Sequence, residues 1–283
     1  VLAAALCSGC STAPFKITDS FASYYAKNKE EVGSDLKGMA SDLAVLSDSE
    51  ATDPNYQSND YADLLINDST NEVLESYHCF DRLYPASITK VMTALLTLEH
   101  GNMDDEITLK HDINLTENGA VISTLTKGDT VTVGQVFHTM LIKSANDCAV
   151  ILAEYVAGSE SKFIDMMNAK AEELGATHTH FVNPNGLHDN NHYTTAYDLY
   201  LIFKEAVKYD TFVDTVSSKD YTMTYTTPKK TQINEYMQST NYYLLNEFPV
   251  PEGVVMYGGK TGTTSMAKSC LILMTKNKKG ERF

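Results

Sequence analysis

The sequence predicts an α/β fold in which helices flank an antiparallel sheet and a mostly helical subdomain is inserted between the strands. Patterns typical of strands occur at both ends of the ordered part of the chain, whereas helical patterns fill its middle. This order predicts a sheet that is closed by segments distant in the sequence. The chain has 283 residues, of which 43% are hydrophobic, and this is enough for one large domain or two modest ones.

The N-terminal part of the chain differs from the rest. Residues 1–10, VLAAALCSGC, resemble the end of a secretion signal, because an apolar stretch gives way to small residues. Cys10 resembles the lipid-acceptor cysteine of bacterial lipoproteins, although Cys7 stands where that pattern prefers an aliphatic residue. A lipid anchor on Cys10 and a clipped signal with two incidental cysteines are both open. Residues 11–56 are rich in Ser, Asp and Ala and predict a flexible tether with few contacts to the folded domain, which we place at residues 57–283.

The folded domain is expected to begin with a hairpin and a buried helix. Apolar segments on either side of Asn67-Asp68-Ser69 predict a hairpin over residues 61–77. Pro85 then precedes an almost wholly apolar helix that runs from residue 86 to about residue 99.

Further helices are predicted in the middle of the chain and strands towards its end. Thr132 with Gln135 predicts a capping box, and Thr195 with Asp198 a second helix cap. The predicted helices cover residues 132–141, 145–156, 161–174 and 195–209, and the predicted strands cover residues 219–227, 229–240, 258–264 and 269–275. The turn at residues 277–280 should start another strand near Phe283, so we expect the fold's last strand or strands to be truncated.

Composition argues against several classes of function. The net charge of −15 disfavours nucleic-acid binding, which needs clustered Lys and Arg. No apolar run is long enough to cross a membrane as a helix. The spacing of Cys79, Cys148 and Cys270 supports neither a metal site nor a disulfide framework, and we expect no cofactor.

Four histidines make a zinc peptidase an alternative interpretation of the sequence. His178, His180, His188 and His192 cluster in the sequence, and the last two have the i, i+4 spacing that can hold zinc on a helix. However, the intervening Asp-Asn-Asn disfavours a helix and the sequence contains no HExxH. We therefore favour loop histidines that form hydrogen bonds.

A serine and a lysine one helical turn apart are the first candidates for chemistry. Ser87 and Lys90 share a helix face, so that a nucleophilic hydroxyl can lie beside an amine that acts as its base. The lysine must be desolvated or lie near another cation to lose its proton. Three further Ser-x-x-Lys pairs occur, which shows that the spacing alone is weak: Ser34-Lys37, Ser159-Lys162 and Ser265-Lys268. Only Ser87 begins an apolar helix.

Two more short motifs follow along the chain. Ser144-Ala145-Asn146 lies between two predicted helices, where a tight loop can hold a hydroxyl and an amide. Lys260-Thr261-Gly262-Thr263 lies on a predicted strand, so Lys260 can point into a site as a second cation. Gly262 carries no side chain, which we interpret as room for a peptide substrate against the backbone.

The three motifs in this order resemble those of penicillin-binding proteins and serine β-lactamases. The segments PASITKVMTALLTLE, IKSANDCAVILAEYVAG and GGKTGTT are similar to the low-molecular-mass D-alanyl-D-alanine carboxypeptidases, and the resemblance runs from about residue 61 to the end. It implies the penicillin-binding transpeptidase fold, a peptidoglycan stem peptide and β-lactam antibiotics as the molecules bound, and a location outside the cytoplasmic membrane.

The resemblance also implies a role for each motif residue. Ser87 would form the acyl-enzyme with Lys90 as its base, Ser144 would relay a proton to the leaving amine, and Asn146 would hold Lys90 and the substrate amide. Lys260 would supply positive charge, Thr261 and Thr263 would bind the terminal carboxylate with Gly262 between them, and the backbone N–H groups of Ser87 and Thr263 would form the oxyanion hole.

The sequence departs from the family pattern in two places. Relatives often carry an arginine near the position of Asn241, and another basic residue belongs to the segment after Phe283, so carboxylate recognition is in question.

Two further alternatives share the fold. A class A β-lactamase would need a glutamate near residues 181–186, where FVNPNG has no acid. A catalytically inactive module with the same fold is the other alternative.

Overall fold

A computed structural model of the chain describes residues 43, 44, 46, 61–115, 117 and 119–283. Cys10 and most of the predicted tether lie outside the described residues. The tether stays a prediction, although Ala44, one of its described residues, does contact the folded domain. The backbone N–H of Ala44 donates to the hydroxyl of Tyr200 at 2.9 Å, and its carbonyl accepts from the hydroxyl of Tyr197 at 3.0 Å. Ala44 is fully buried, so the chain is docked at this point.

The strands form three antiparallel groups. The first is a hairpin, the second a sheet of four strands, and the third a long hairpin near the C-terminal end of the described chain. Their bounds, in the same order, are β1 (Asp63–Asn67) and β2 (Glu72–Tyr77); β3 (Glu106–Thr108), β4 (Thr130–Thr132), β5 (Asp220–Thr226) and β6 (Gln232–Gln238); β7 (Val254–Thr264) and β8 (Lys268–Asn277). The antiparallel pairing is as predicted, whereas the two three-residue strands are too short to show a period of two in the sequence.

The sequence predicted that distant segments would close a single sheet, whereas the structure has the first and last hairpins as separate sheets. The first and last hairpins belong to separate ladders and meet through Arg282. The N–H of Asp68 donates to the Arg282 carbonyl at 2.9 Å, and the N–H of Arg282 donates to the Ser69 hydroxyl at 2.9 Å. Phe283 pairs back onto Thr275 of β8 through two hydrogen bonds of 2.9 Å. Residues 281–283 therefore link the two hairpins.

Six α-helices and one 3₁₀ turn pack between the strands in the described chain. Their bounds are Ala86–Thr89 for the 3₁₀ turn, α1 (Lys90–His100), α2 (Val133–Ile142), α3 (Asn146–Ala157), α4 (Glu160–Glu173), α5 (Ala196–Ala206) and α6 (Asp210–Val216). None of the helices in the described residues is long and apolar enough to cross a membrane.

Helix α1 is the centre of the core. Its first eight residues are all buried, and it packs against α2, α3 and α5. A helix that is apolar on every side has to be surrounded, which is why the run VMTALLTL predicted a buried helix. Both predicted caps form, because Thr132 accepts from the N–H of Gln135 and Thr195 from the N–H of Asp198. The full capping box predicted at Thr132 is wrong, because the Gln135 Oε1 atom is buried and has no hydrogen-bond partner among the described residues. The helix that begins after Thr195 ends at Ala206, and a separate α6 follows.

Candidate active site

The 3₁₀ turn at the head of α1 places the candidate nucleophile beside its candidate base. Residues three apart eclipse one another in a 3₁₀ turn, so Ser87 and Lys90 point the same way. The Lys90 Nζ atom lies 2.9 Å from the Ser87 Oγ atom. Lys90 is 0% exposed, even though lysines are rarely buried completely.

The surroundings of Lys90 favour a neutral amine. Burial lowers the pKa of Lys90 well below its usual range, and the nearby charge of Lys260 lowers that pKa further. Nζ also lies 2.8 Å from the Asn146 Oδ1 atom and 2.6 Å from the carbonyl oxygen of Asn185. These two oxygens can only accept, so they take the two N–H groups of a neutral amine. Its lone pair is then left for the hydroxyl proton of Ser87.

The Asn146 amide is held in the orientation that this arrangement needs. Its Nδ2 atom donates to the Val121 carbonyl at 3.0 Å, so its Oδ1 atom faces Lys90. The next residue, Asp147, fixes the segment that carries Val121. The Asp147 carboxylate accepts from the Ser123 N–H at 2.9 Å and from the Ser123 hydroxyl at 2.5 Å.

Lys260 enters the same site from strand β7. Its Nζ atom donates to the Ser144 Oγ atom at 2.9 Å and to the Thr261 carbonyl at 2.7 Å. Lys260 is 1% exposed, and burial lowers its pKa to about 7. Ser144 has a φ of 64°, a left-handed conformation that is costly for a residue with a side chain. The tight turn between α2 and α3 therefore aims this hydroxyl at Lys260.

Gly262 has a structural reason of its own, beside the approach of a substrate that the sequence suggested and that stays a prediction. A Cβ atom added there would lie 2.9 Å from the backbone nitrogen of Ser87 and 3.1 Å from the Ala86 Cβ atom. The space that the glycine leaves is used by the turn that carries the nucleophile. The absence of a side chain therefore lets β7 pack directly against Ser87.

The threonines on either side of Gly262 have separate partners. The Oγ1 atoms of Thr261 and Thr240 lie 2.5 Å apart, and the Thr263 hydroxyl donates to the Gly262 carbonyl at 2.8 Å. Thr261 is partly exposed and Thr263 is exposed on the strand that bears Lys260, which suits both residues to contact a bound ligand.

The other Ser-x-x-Lys serines that the structure describes have ordinary structural roles. Ser159 caps α4 by accepting from the backbone N–H of Lys162 at 3.4 Å. Ser265 lies in the exposed turn between β7 and β8. Ser34 lies outside the described residues. Among the described pairs, a lysine Nζ atom within 3 Å of its serine hydroxyl is found at Ser87 and Lys90.

Comparison with known proteins identifies the family. Residues 48–282 match the peptidase S11 family, described as D-alanyl-D-alanine carboxypeptidase. The chain is 35% identical to D-alanyl-D-alanine carboxypeptidase DacF of Bacillus subtilis over 217 residues, which are 75% of this chain and 53% of that protein. It is 31% identical to the D-alanyl-D-alanine carboxypeptidase of Streptomyces sp. strain K15, covering 73% of each protein. The chain belongs to the D-alanyl-D-alanine carboxypeptidase family.

The fold of this family is also present in solved structures. The crystal structure of the Streptomyces K15 DD-transpeptidase matches with a TM-score of 0.69 and 28% identity, covering 77% of this chain and 85% of that one. A penicillin-binding protein homologue from Mycobacterium tuberculosis matches with a TM-score of 0.70 at 24% identity. The α/β penicillin-binding fold predicted from the motifs is confirmed. The chain spans about half the length of DacF and of DacC of Escherichia coli, which it matches at 53% and 50% of their lengths.

Asn241 does not replace the arginine that family members often carry near this position. Its side chain is 1% exposed, and its Oδ1 atom accepts from the N–H groups of Tyr243 and Leu244 at 3.2 and 3.3 Å. Asn241 therefore caps a turn.

Three of the four histidines that raised the zinc alternative form side-chain hydrogen bonds or ring contacts. His180 Nδ1 lies 2.6 Å from the Asn191 carbonyl, and His188 packs edge-on against Tyr84. His192 is buried and lies 2.8 Å from the Thr89 hydroxyl. Within the described residues no group of three or more metal-ligating side chains is arranged around a common point.

Sequence reasoning missed three contributors to the site. The carbonyl oxygens of Asn185 and Val121 act through the backbone, which carries no residue signature. Asp147 could have been found, because an acid directly after Ser-Ala-Asn at the start of an apolar helix needs a buried partner.

Proposed function

We propose that this chain is a serine-type D-alanyl-D-alanine carboxypeptidase that removes the terminal D-alanine from peptidoglycan stem peptides through an acyl-enzyme on Ser87. The observation that supports this most directly is the Lys90 amine, which is buried, 2.9 Å from the Ser87 hydroxyl, and has both of its neutral-state N–H groups directed at carbonyl acceptors. Membership of the family supports the assignment of the substrate.

In the proposed acylation step, the Ser87 oxygen attacks the carbonyl carbon between the two D-alanines while its proton passes to the Lys90 amine. The oxyanion forms next to the backbone N–H groups of Ser87 and Thr263, which stabilise the developing charge. The C–N bond then breaks, and the proton that Lys90 took from Ser87 passes by way of the Ser144 hydroxyl to the leaving amine, which leaves Lys90 neutral again. Ser144 suits this relay because Lys260 donates a hydrogen bond to its oxygen at 2.9 Å, so the Ser144 hydroxyl proton is free to move to the leaving amine.

Deacylation returns the enzyme to its starting state. A water molecule attacks the ester carbonyl of the acyl-enzyme, gives its proton to the neutral amine of Lys90, and releases the shortened peptide as Ser87 recovers its hydroxyl proton. Lys260, Thr261 and Thr263 are proposed to bind the carboxylate of the terminal D-alanine, since a charge and two hydroxyls lie along one strand.

A β-lactam would acylate the same serine and remain attached for a long time. A class A β-lactamase places a carboxylate near its lysine to activate the deacylating water, whereas here the carbonyl oxygen of Asn185 lies 2.6 Å from Lys90. Residues 181–186 contain no acid. We therefore do not favour rapid β-lactam hydrolysis.

Two measurements on the purified protein test the proposal. A fluorescent penicillin should label the protein covalently with a stoichiometry near one, and D-alanine should be released from a peptide that ends in D-Ala-D-Ala. Labelling that fades within seconds would favour the β-lactamase. Absence of both labelling and D-alanine release from folded protein would favour the catalytically inactive module.

We further propose that the protein works outside the cytoplasmic membrane and is held there by a lipid on Cys10. Peptidoglycan lies outside that membrane, and a Ser-Gly-Cys sequence follows the apolar leader. Several acyl chains on one cysteine would anchor it stably. A Cys10→Ala variant should appear in the soluble fraction of fractionated cells, whereas Cys7→Ala should stay with the membrane. Membrane retention of Cys10→Ala would contradict the anchor.

A further inference from the structure

The backbone directly before Ser87 is held in an unfavourable conformation. Ala86 has a φ of 48°, in the left-handed region that residues with a Cβ atom avoid. Such a residue keeps this conformation only where its surroundings fix it. Ala86 is 2% exposed, and a Cβ atom added at Gly186 would lie 1.9 Å from its carbonyl oxygen. The peptide unit between Ala86 and Ser87 is therefore confined on that side.

A chain of three hydrogen bonds ends on the same carbonyl. The Thr89 hydroxyl donates to the Ala86 carbonyl oxygen at 2.8 Å. The Thr89 Oγ1 atom also lies 2.8 Å from His192 Nε2, and the N–H of Val182 donates to His192 Nδ1 at 3.2 Å. Thr89 and His192 are 1% and 2% exposed, so water does not compete for these bonds.

The direction of each bond follows from chemistry. Burial lowers the pKa of His192 to about 4, so the imidazole is neutral at working pH and carries one N–H. Nδ1 accepts from Val182, which places the proton on Nε2. Nε2 then donates to Thr89, whose own proton goes to Ala86. No other arrangement of protons satisfies all three contacts.

We propose that His192 is a positioning residue for acylation, which acts through Thr89 to hold the Ala86–Ser87 peptide unit in its reactive orientation. That unit carries the N–H of Ser87, one of the two proposed oxyanion donors, and it sets the position of the Ser87 hydroxyl relative to Lys90. If the chain of bonds is broken, Ala86 can relax towards an ordinary conformation and the oxyanion donor moves. The inference rests on the proposed acyl-enzyme at Ser87.

The test uses the full chain and the second-order rate of labelling by a fluorescent penicillin. Thr89→Val keeps the shape of the side chain but removes its donor, and it should slow acylation at least tenfold. Thr89→Ser keeps the donor and should stay within about twofold of the unaltered protein. His192→Ala should slow acylation as Thr89→Val does, and His192→Gln, whose amide can still donate to Thr89, should recover most of the rate. The final extent of labelling should stay near one per folded molecule throughout.

Two readouts separate positioning from a purely structural role. The combination of His192→Ala with Thr89→Val should be no slower than either single variant, because both act on one contact. Urea unfolding of each variant reports any separate loss of stability, and if His192→Ala does not fold, the Thr89 pair still decides the question. Rates that multiply in the double variant, or a Thr89→Val protein that acylates at the original rate, would overturn the inference. If the unaltered protein is not labelled at all, the proposed function fails instead.

Discussion

The Lys90 amine lies closer to the carbonyl oxygen of Asn185, at 2.6 Å, than to the hydroxyl of Ser87, at 2.9 Å. A backbone carbonyl cannot give up a proton or rotate away, so it always occupies one N–H of the amine. With the second N–H taken by Asn146, the lone pair has one remaining direction, towards Ser87. The loop that contains Asn185 therefore orients the base without contributing a titratable side chain.

Of the four Ser-x-x-Lys serines, we expect a β-lactam to acylate Ser87 alone. Ser87→Ala should abolish labelling, because it removes the hydroxyl next to the neutral amine. Ser159→Ala and Ser34→Ala should retain it fully, and Ser265→Ala should retain most of it because it disturbs only the turn after β7. Gel fluorescence followed by peptide mapping measures the result, and an adduct on any other serine would show that the nucleophile is wrong.

The sequence was most informative where a pattern is local. The buried helix after Ser87, the caps at Thr132 and Thr195, and the strand that bears Lys260 all follow from spacing and residue type. Partners distant in the chain could not be predicted in this way. The link between Asp68 and Arg282 and the contact between Gly262 and Ser87 depend on tertiary packing, which no single segment encodes.

The two buried lysines should give the peptidase reaction a bell-shaped pH profile. The lowered pKa of Lys90 means that the rate rises as this amine loses its proton. Lys260 has a pKa of about 7, so above that pH it loses the charge proposed to attract the substrate carboxylate, and the rate falls. The value of kcat/KM measured against pH reports both groups in the free enzyme.

A substitution and a substrate serve as controls for this profile. An arginine at position 260 stays charged at every accessible pH. In the Lys260→Arg variant the alkaline limb should therefore move to higher pH, even if the maximum rate is lower. A peptide whose terminal carboxylate is amidated should lack the alkaline limb that comes from lost carboxylate binding. An unchanged alkaline limb in Lys260→Arg would show that another group is responsible.

Gly262→Ala should slow acylation on the order of 100-fold while leaving the protein folded. The added methyl group would lie 2.9 Å from the Ser87 nitrogen and 3.2 Å from the Ile88 nitrogen, so β7 or the nucleophile turn must shift. A shift of about 1 Å at a catalytic group costs on the order of 100-fold in rate. Gly158→Ala is the matched control, since its φ of 77° makes it strained but no atom lies within 4 Å of the added methyl. It should lower stability and leave the labelling rate unchanged; equal labelling rates for both variants would contradict the role of Gly262.

Asp147→Ala should slow acylation through a residue that does not touch Ser87. The Asp147 carboxylate holds the N–H and hydroxyl of Ser123, which keeps the Val121 carbonyl on the Asn146 amide. Without it, two buried donors are unpaired, at a cost of about 1–3 kcal/mol in stability, and Asn146 is free to turn away from Lys90. We expect the labelling rate to fall about tenfold, which corresponds to about 1.4 kcal/mol in the barrier.

Two further variants decide whether Asp147 acts in this way. Asp147→Asn keeps one oxygen for the Ser123 N–H and should lose less activity than the alanine variant. Glu235 holds the neighbouring Thr124 on the exposed side of the same segment, with its Oε2 atom 3.0 Å from the N–H and 2.6 Å from the hydroxyl. Glu235→Gln should therefore loosen the segment from outside while the Val121–Asn146 contact persists, and its labelling rate should stay close to the original. If Asp147→Ala labels as fast as Glu235→Gln while both remain folded, the orientation of Asn146 does not depend on Asp147.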